Sequence, residues 1–515
     1  MQTEARQLNS WSWMFIAAGT MRALLIPAAG AVVASGGFLL THLHFLSLLL
    51  IVPALVYAFI RQKVYSYRFT DSELVVRDGL LTKNVRHISY ERIHNVALVR
   101  NPIHRLLGVT TARIETAAGG KPEALLRVLS LEAADELRRY SLGEEQAIAT
   151  DSPEARAADA PLLQVPDLEL VRLGLISNRG FIVVAAGMGV FSQTNWWDQD
   201  WMRAYAGVHA KAPEWAAWLF DSGSLAGRAL LGLAFIVFFL VLLRLLSIAW
   251  YLVRYRGFTL RQKNEELRAE YGLLTLVSSL IPVHRIQLVT ITSTLLHRCF
   301  GRTSIDVETA GASTADSDLS GQLAASGVNT TRQWLAPIIE TGQATGLVHH
   351  ILPEIDIEAV GWKPIEARAT RRIVKRVALA VMPITVALAA VLTFSLIPLS
   401  GWHALWLPLV VLTMAWLIAR QWVRHAGYAL TEHAIYFRSG WLSRQISVVR
   451  FVNMQTVSIR QTPFDHRKRM ATVAVDTAGA GATGHRIRIP FLDVDVALSI
   501  LQRLYAETRS TEFRW

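Results

Sequence analysis

The sequence predicts a multi-pass α-helical membrane protein that carries three cytoplasmic β-rich modules, each closed by a helix. Three observations predict it: long runs without Asp, Glu, Lys or Arg, a basic edge after each apolar pair, and a Gly-centred β-rich stretch that occurs three times. Residues 23–60 are one such run of 38 positions and residues 377–419 another of 43, each enough for two crossings of about 20 residues joined by a tight turn. A further pair is split between residues 180–197 and 229–253, so six membrane helices are expected. The chain is 52% hydrophobic and 18% charged, with a mean hydropathy of +0.31. Soluble cores do not normally gather their uncharged residues into runs this long.

In chain order this gives a cytoplasmic N-terminus (1–19), a helix pair (20–62), a first module (63–165), a second pair with an outer loop (166–253), a second module (254–370), a third pair (371–423) and a third module (424–515). Pro27, Pro53 and Pro383 predict bends in membrane helices, where neighbouring groups compensate the lost hydrogen bond. Arg244 interrupts the second pair and is the one charge whose mid-membrane cost calls for a partner. The first ten residues, with Glu4 and Arg6, do not read as a cleavable signal, and no lipidation motif follows Met1. With Cys299 alone, an intramolecular disulfide and a Cys-rich metal site are excluded.

Charge sets the expected topology. Arg61, Lys63 and Arg68 follow the first pair, Arg254, Arg256, Arg261 and Lys263 the second, and Arg420 and Arg424 the third. Arg172 and Arg179 precede the second pair, and Arg371, Arg372, Lys375 and Arg376 the third. Six crossings put all of these on one face, which the positive-inside rule makes cytoplasmic. Trp196, Trp197, Trp201, Trp215 and Trp218 then lie in the long outer loop, at the membrane–water boundary. The net charge of +12 is concentrated beside apolar segments, where it serves orientation and attraction to anionic phospholipids. No zinc-finger spacing or other nucleic-acid module accompanies it, so nucleic acid is not an expected partner.

The repeat is visible in its spacing. Gly79 and Gly108 are 29 residues apart, as are Gly272 and Gly301, and Gly440 stands 29 residues before Arg469, which replaces the second glycine. Leu74–Val76 before Asp78–Gly79, and Ala434–Phe437 before Ser439–Gly440, read as strands entering hairpins. Alternating strands are expected over residues 112–117, 304–310 and 472–478, and helical spacing follows at 131–140 and 494–505. The Ser/Thr/Ala/Gly-rich stretch 311–331 reads as an inserted loop of the second copy.

These elements resemble the bacterial PH-like domain family known as YdbS-like, in its three-module arrangement of the YdbT type. The resemblance rests on Phe69–Thr70, Phe258–Thr259 and Leu430–Thr431, on the turns at Gly79, Gly272 and Gly440, and on the segments ERIHNV, HRIQLV and VNMQTV. It implies small, strongly bent antiparallel PH-like β-barrel domains capped by a helix, in the bacterial inner membrane and with a cell-envelope role that includes protection against membrane-active peptides. It also implies a smaller PH-like membrane protein of the same family as partner, beside membrane phospholipids and homo-oligomers.

The polar residues most tempting as chemistry are Glu91, Arg92, His94 and Asn95, then His284, Arg285 and Gln287, then Asn453 and Gln455. They alternate with apolar residues as one face of a strand does, and the third copy keeps the strand without a histidine. A docking role is therefore expected, with no catalytic residue, metal or cofactor. His349–His350 lacks ligand spacing, and no phosphate loop or nucleophile elbow is present. A non-enzymatic scaffold or regulator is the expected function; the alternative is a lipid or hydrophobic-substrate transporter whose passage would be lined by Arg244.

Overall fold

The structure, a computed structural model, describes residues 6–21, 43–79, 82–90, 93–116, 124–142, 161–181, 184, 225–263, 265–309, 332–395, 406–477 and 487–510. The chain divides into two compact units, one of Met1–Ala160, Arg261–Ala269 and Ser278–Trp515, the other of Pro161–Leu260 and Glu270–Val277.

The first copy contains β1 (Arg6–Gln7), helix α1 (Leu43–Val64), β2 (Ser66–Phe69), β3 (Glu73–Asp78), β4 (Asn84–Ser89), β5 (Ile93–Arg100), the short helix α2 (Pro102–Leu106), β6 (Val109–Thr116), β7 (Ala124–Ser130) and helix α3 (Leu131–Leu142). β8 (Leu163–Gln164), helix α4 (Asp167–Ile176) and helix α5 (Leu225–Tyr255) lead to the second copy. That copy runs β9 (Thr259–Lys263), β10 (Glu266–Tyr271), β11 (Leu276–Pro282), β12 (Ile286–Thr294), α6 (Leu295–Cys299), β13 (Arg302–Thr309), β14 (Arg332–Glu340) and α7 (Thr341–Ile351). β15 (Lys363–Pro364), α8 (Ala369–Ser395) and α9 (Trp406–His425) precede the third: β16 (Gly427–Leu430), β17 (Ala434–Ser439), β18 (Ser443–Arg450), β19 (Met454–Arg460), α10 (Pro463–His466), β20 (Met470–Thr477), β21 (Ile487–Asp493) and α11 (Val494–Ser510).

Each copy is thus two three-stranded meanders and a terminal helix. In the first, the two meanders share one core: Leu74, Val76 and Ile88 from one pack with Ala112, Ile114 and Leu126 from the other, and Leu137 of α3 closes it. The hairpin glycine that opens β4, β11 and β18 is required. Gly79, Gly272 and Gly440 have φ of 118°, 119° and 86°, and a Cβ there would stand 1.9, 1.9 and 1.8 Å from the carbonyl oxygens of Thr82, Thr275 and Ser443. The 29-residue interval ends on a second left-handed position, φ 63° at Gly108 and Gly301 and 52° at Arg469. The third copy therefore keeps the conformation after losing the glycine.

The meanders do not stay within their copies. The last three strands of one copy continue into the first three of the next: β7-β6-β5-β11-β10-β9 run side by side, as do β14-β13-β12-β18-β17-β16. The first four strands form a separate sheet, β1-β2-β3-β4, and the last three another, β19-β20-β21.

The expected multi-pass α-helical fold class is corrected here. The described residues are organised by four β-sheets, and among them one segment, Ala229–Tyr255, is long and apolar enough to cross a membrane. The reason is that a charge-free run is not yet a span, because Gly, Ser, Thr, His and Pro carry little apolar transfer energy and the ends of the other helices belong to the β modules. In α8, Ala369 is fully buried in the third copy's core with Ile373 packed against it, and Val423 of α9 joins the same cluster. In α1, Ala58 is buried against Ile16 and Ala17. Parts of the runs, residues 22–42 and 396–405, the Trp-rich loop and the insertion 311–331 lie outside the described residues.

In the second unit α4 packs along α5 through close backbone contact. A Cβ on Gly174 would lie 2.5 Å from the Cα of Ile248, so only glycine lets the two backbones approach this closely. Ser177 and Tyr251 meet hydroxyl to hydroxyl at 3.0 Å, and Arg244 Nη1 donates to the carbonyls of Leu175 (3.0 Å) and Ser177 (2.9 Å) and to Asn178 Oδ1 (3.2 Å).

Candidate functional site

Three of the polar positions singled out by the repeat, His284, Arg285 and Asn453, stand where one copy joins the next. The second and third copies turn from the first meander to the second through one helical turn, Val283–Arg285 and Phe451–Asn453 respectively. Pro282 precedes the first of these and supplies no N–H for the ladder, which helps to end β11 there. The third residue of each turn reaches into the preceding copy. Arg285 Nη1 donates to the carbonyl of Ile93, and Asn453 Nδ2 donates to the carbonyl of Ile286 at 2.7 Å. Ile93 and Ile286 hold the same place, the first residue of β5 and of β12. The link therefore repeats with a different donor.

The second and third copies also join edge to edge. β12 and β18 pair antiparallel from Leu288↔Val449 to Thr294↔Ser443. Leu288, Val289, Val448 and Val449 are all buried to 2% exposure or less, each side chain worth roughly 1.5–3 kcal/mol when removed from water. Leu288 lies in the same core as Val449, Phe451 and Met454 of the next copy. Arg450 Nη2 donates to the carbonyls of Val283 (3.4 Å), His284 (3.1 Å) and Ile286 (3.1 Å), with Glu354 3.9 Å from its Nη1. Arg298 Nη2 donates to Trp441 O at 2.8 Å on the hairpin of the third copy.

Electrostatics keep this joint tight but neutral at its histidine. Burial pushes the Arg450 and Arg285 guanidinium groups below their ordinary values, with Glu354 and Glu266 respectively opposing the shift. His284 is lowered by burial, then by Arg285 and Arg450, against Glu265. Its Nε2 accepts from Arg285 Nε at 3.3 Å, which only the neutral imidazole can do. A lowered histidine value means that the folded chain binds fewer protons than the unfolded one, whose imidazole titrates near about 6.5. Stability from His284 is thus fully present above that pH and falls as pH drops toward the lower folded value. His104 and His297, also lowered chiefly by burial, act in the same direction. Urea unfolding at pH 7.5 and 5.5 is expected to show a lower midpoint at 5.5, and a smaller drop in His284→Gln.

The other expected positions are distributed as follows. Gln287 is buried at the bulge between Ile286 and Leu288, where its Oε1 finds no hydrogen-bond partner among the described residues. Gln455 is exposed on β19. Asn95 pairs with Glu115 across β5 and β6 beside His94, while Glu91 and Arg92 lie outside the described residues. Arg450 was missed because the first two copies carry Ser89 and Pro282 where it stands, so the repeat comparison gave no signal for it, whereas Arg298 has a basic counterpart in each of the other copies, Arg105 and His466, that could have marked it.

Several cations of the basic edges meet protein groups. Arg61 pairs with Asp78 at 3.0 Å, Arg256 with Asp167 at 3.4 Å, and the cations of Lys63 and Arg254 lie over the rings of Phe59 and Tyr255. Arg371, Lys375 and Arg376 are exposed. Arg372 instead meets Asp465 at 3.0 Å, with both side chains at most 10% exposed, and stacks on Phe464. Burial of Asp465 opposes its ionisation, but hydrogen bonds from Thr462 and Arg372 outweigh it and hold the carboxyl below its usual range. Arg372→Met leaves that carboxylate short of a donor and is expected to cost about 1–3 kcal/mol at pH 7. A depressed carboxyl stabilises above the unfolded value of about 3.9 and loses this as pH falls through the folded one. Acid unfolding below pH 4 should therefore separate the two proteins less than neutral unfolding does.

The arrangement contains no nucleophile with an oriented base, and among the described residues no group of three His, Cys, Asp or Glu is placed to hold a metal ion. Its donors are spent on backbone carbonyls. The chemistry is that of a joint.

A family model described as Bacterial PH domain matches residues 22–145, 221–337 and 377–508. The chain is also similar to the UPF0699 transmembrane protein YdbT of Bacillus subtilis (strain 168), 22% identical over 431 residues that cover 81% of this chain and 80% of that protein. No solved structure matches it.

Proposed function

The chain belongs to the bacterial PH domain family, with the domain repeated three times, and from that premise we propose that it is a non-enzymatic, membrane-associated scaffold or regulator of the cell envelope. The observation that carries this reading is the shared sheet between copies, in which β12 of one continues into β18 of the next. Modules that bury core residues in each other act as one platform, and their joints hold no group suited to catalysis.

Membrane association rests on the similar transmembrane protein and on α5. The most apolar stretch of α5 is not buried by the rest of the chain, and Phe235, Ile236, Phe238 and Leu245 are each at least 55% exposed. An apolar helix this exposed requires a nonaqueous partner, and phospholipid acyl chains supply it. Arg254 and Arg256, at and just after its end, support a cytoplasmic face of the bacterial inner membrane for the module that follows it, by the positive-inside rule. A smaller PH-like membrane protein is a proposed partner, and defence against membrane-active peptides a proposed role.

Ser447→Pro removes a backbone N–H from β18, where Ser447 stands opposite Thr290 of β12 and Phe437 of β17. If the platform is the function, this variant inserts normally in membranes but matches a deletion strain in sensitivity to cationic membrane-active peptides. Full protection by an inserted Ser447→Pro chain whose joint has opened, or protein-dependent movement of fluorescent phospholipid across proteoliposomes, would sink the scaffold reading. Labelling of the exposed Cys299 by an impermeant maleimide is expected in inside-out vesicles and not in right-side-out ones.

A further inference from the structure

The two ends of the strand-sharing series are complementary, and we propose that they join: β19 of one copy of the chain pairs antiparallel with β4 of a second copy, extending the series head to tail. This deepens the scaffold reading and rests on it.

Twice within the chain the first strand of a second meander pairs with the last strand of the next copy's first meander, β5 with β11 and β12 with β18. The third copy's equivalent of β5 and β12 is β19, which among the described residues pairs only with β20. The first copy's equivalent of β11 and β18 is β4, whose one strand neighbour among the described residues is β3. Each is therefore one half of a pairing the chain makes elsewhere. Exposure follows. Leu288, Val289, Thr290 and Ile291 of β12 are all buried, whereas Thr456 is exposed and Val457, Ser458 and Ile459 are half-buried in β19. Val448 and Ser447 of β18 are buried, while His87 and Arg86, at the same places in β4, are exposed. An open strand edge is a template for another strand, and here the matching strand is encoded on the same polypeptide. A second copy of the chain is thus the occupant that the sequence already supplies.

The register carries over. Leu288↔Val449, Thr290↔Ser447 and Thr292↔Gln445 translate, through the common turn positions, into Thr456↔Ile88, Ser458↔Arg86 and Arg460↔Asn84. Because the two edges differ, the contact is heterologous and produces either a closed ring or a continuing chain of copies.

The test uses full-length protein in native membranes with Cys299→Ser, so that only introduced thiols react. Two differently tagged copies are coexpressed, one with Arg86→Cys and the other with Ser458→Cys, and then oxidised. A disulfide between the two tags is expected, exceeding an off-register pair of Arg86→Cys with Gln455→Cys by about tenfold or more, since the bond needs Cβ atoms about 3.5–4.5 Å apart. Thr290→Cys with Ser447→Cys in one chain reports the internal joint under the same conditions. If that control closes and the two tags never join, the head-to-tail contact is wrong while the scaffold reading stands. If the control fails in a folded, inserted chain, the shared-sheet reading itself fails. A chain carrying both Arg86→Cys and Ser458→Cys that closes only on itself would also overturn the second copy as occupant.

Discussion

Gly180→Ala is expected to separate the helical segment that follows α4 from α5 and to lower stability by about 3 kcal/mol or more, at the upper end of overpacking penalties. The added Cβ would fall 1.9 Å from the carbonyl oxygen of Leu243 and 2.9 Å from its carbonyl carbon. Both obstacles are backbone, so no side-chain rotation relieves them. Gly174→Ala meets the Cα and N of Ile248 at 2.5 and 2.9 Å and should behave alike. Gly232 on α5 is the control, because a Cβ there meets nothing within 4 Å. Gly232→Ala is expected to be neutral, or to stabilise by up to about 1 kcal/mol through helix propensity. Thermal unfolding of the three variants in one detergent or nanodisc preparation checks the contrast. Equal midpoints for Gly180→Ala and Gly232→Ala would mean that the helices do not approach as closely as the structure has them.

What the sequence displayed was local. The hairpin glycines were legible because the φ near 118° at Gly79 and Gly272 strongly favours glycine, and repetition at 29 residues marked the second left-handed site even where Arg469 had replaced the glycine. Leu131–Leu142 and Val494–Ser510 were legible from their helical spacing. The identity of each strand's neighbour was not. The polar–apolar alternation at the start of β12 suggests one buried face, whereas Ile286 to Ile291 are all buried, and alternation does not tell whether the strand pairs inside its own copy or with β18 of the next. The joint residues Arg285 and Asn453 stood out as polar places in a repeated segment, but their targets are backbone carbonyls, which leave no mark on a sequence. The multi-pass expectation failed for a different reason. It counted absent charges, whereas Ala369, Ile373 and Val423 show residues at the ends of such helices turned into a β module's core.

Arg244 was legible as an anomaly, and its partners decide what its removal does. Two effects oppose each other in Arg244→Leu. Deleting a guanidinium from an apolar helix favours insertion, by up to about 3 kcal/mol if the position is at the bilayer centre. Against this, the carbonyls of Leu175 and Ser177 and the side chain of Asn178 lose their shared donor. Leu175 lies in the last turn of α4, whose final carbonyls have no partner within the helix and favour a nearby cation. Ser177 O retains Ser247 Oγ at 3.2 Å, so two acceptors are left without a replacement. At about 1.5–3 kcal/mol for each bond to a charged group, the folded state loses roughly 3–6 kcal/mol. Insertion and folding should therefore move in opposite directions, with membrane yield of Arg244→Leu equal to or above that of the parent and its unfolding midpoint well below. Arg244→Lys keeps a cation near the helix end but not the planar fork, and is expected to recover part of the stability. Protease protection of α5 in membranes, beside thermal unfolding of the purified protein, measures the two effects separately. A leucine variant as stable as the parent would show that Arg244 does not cap α4. If that variant had instead lost protein-dependent movement of a lipid across proteoliposomes, the residue would belong to a passage and the scaffold reading would fall with it.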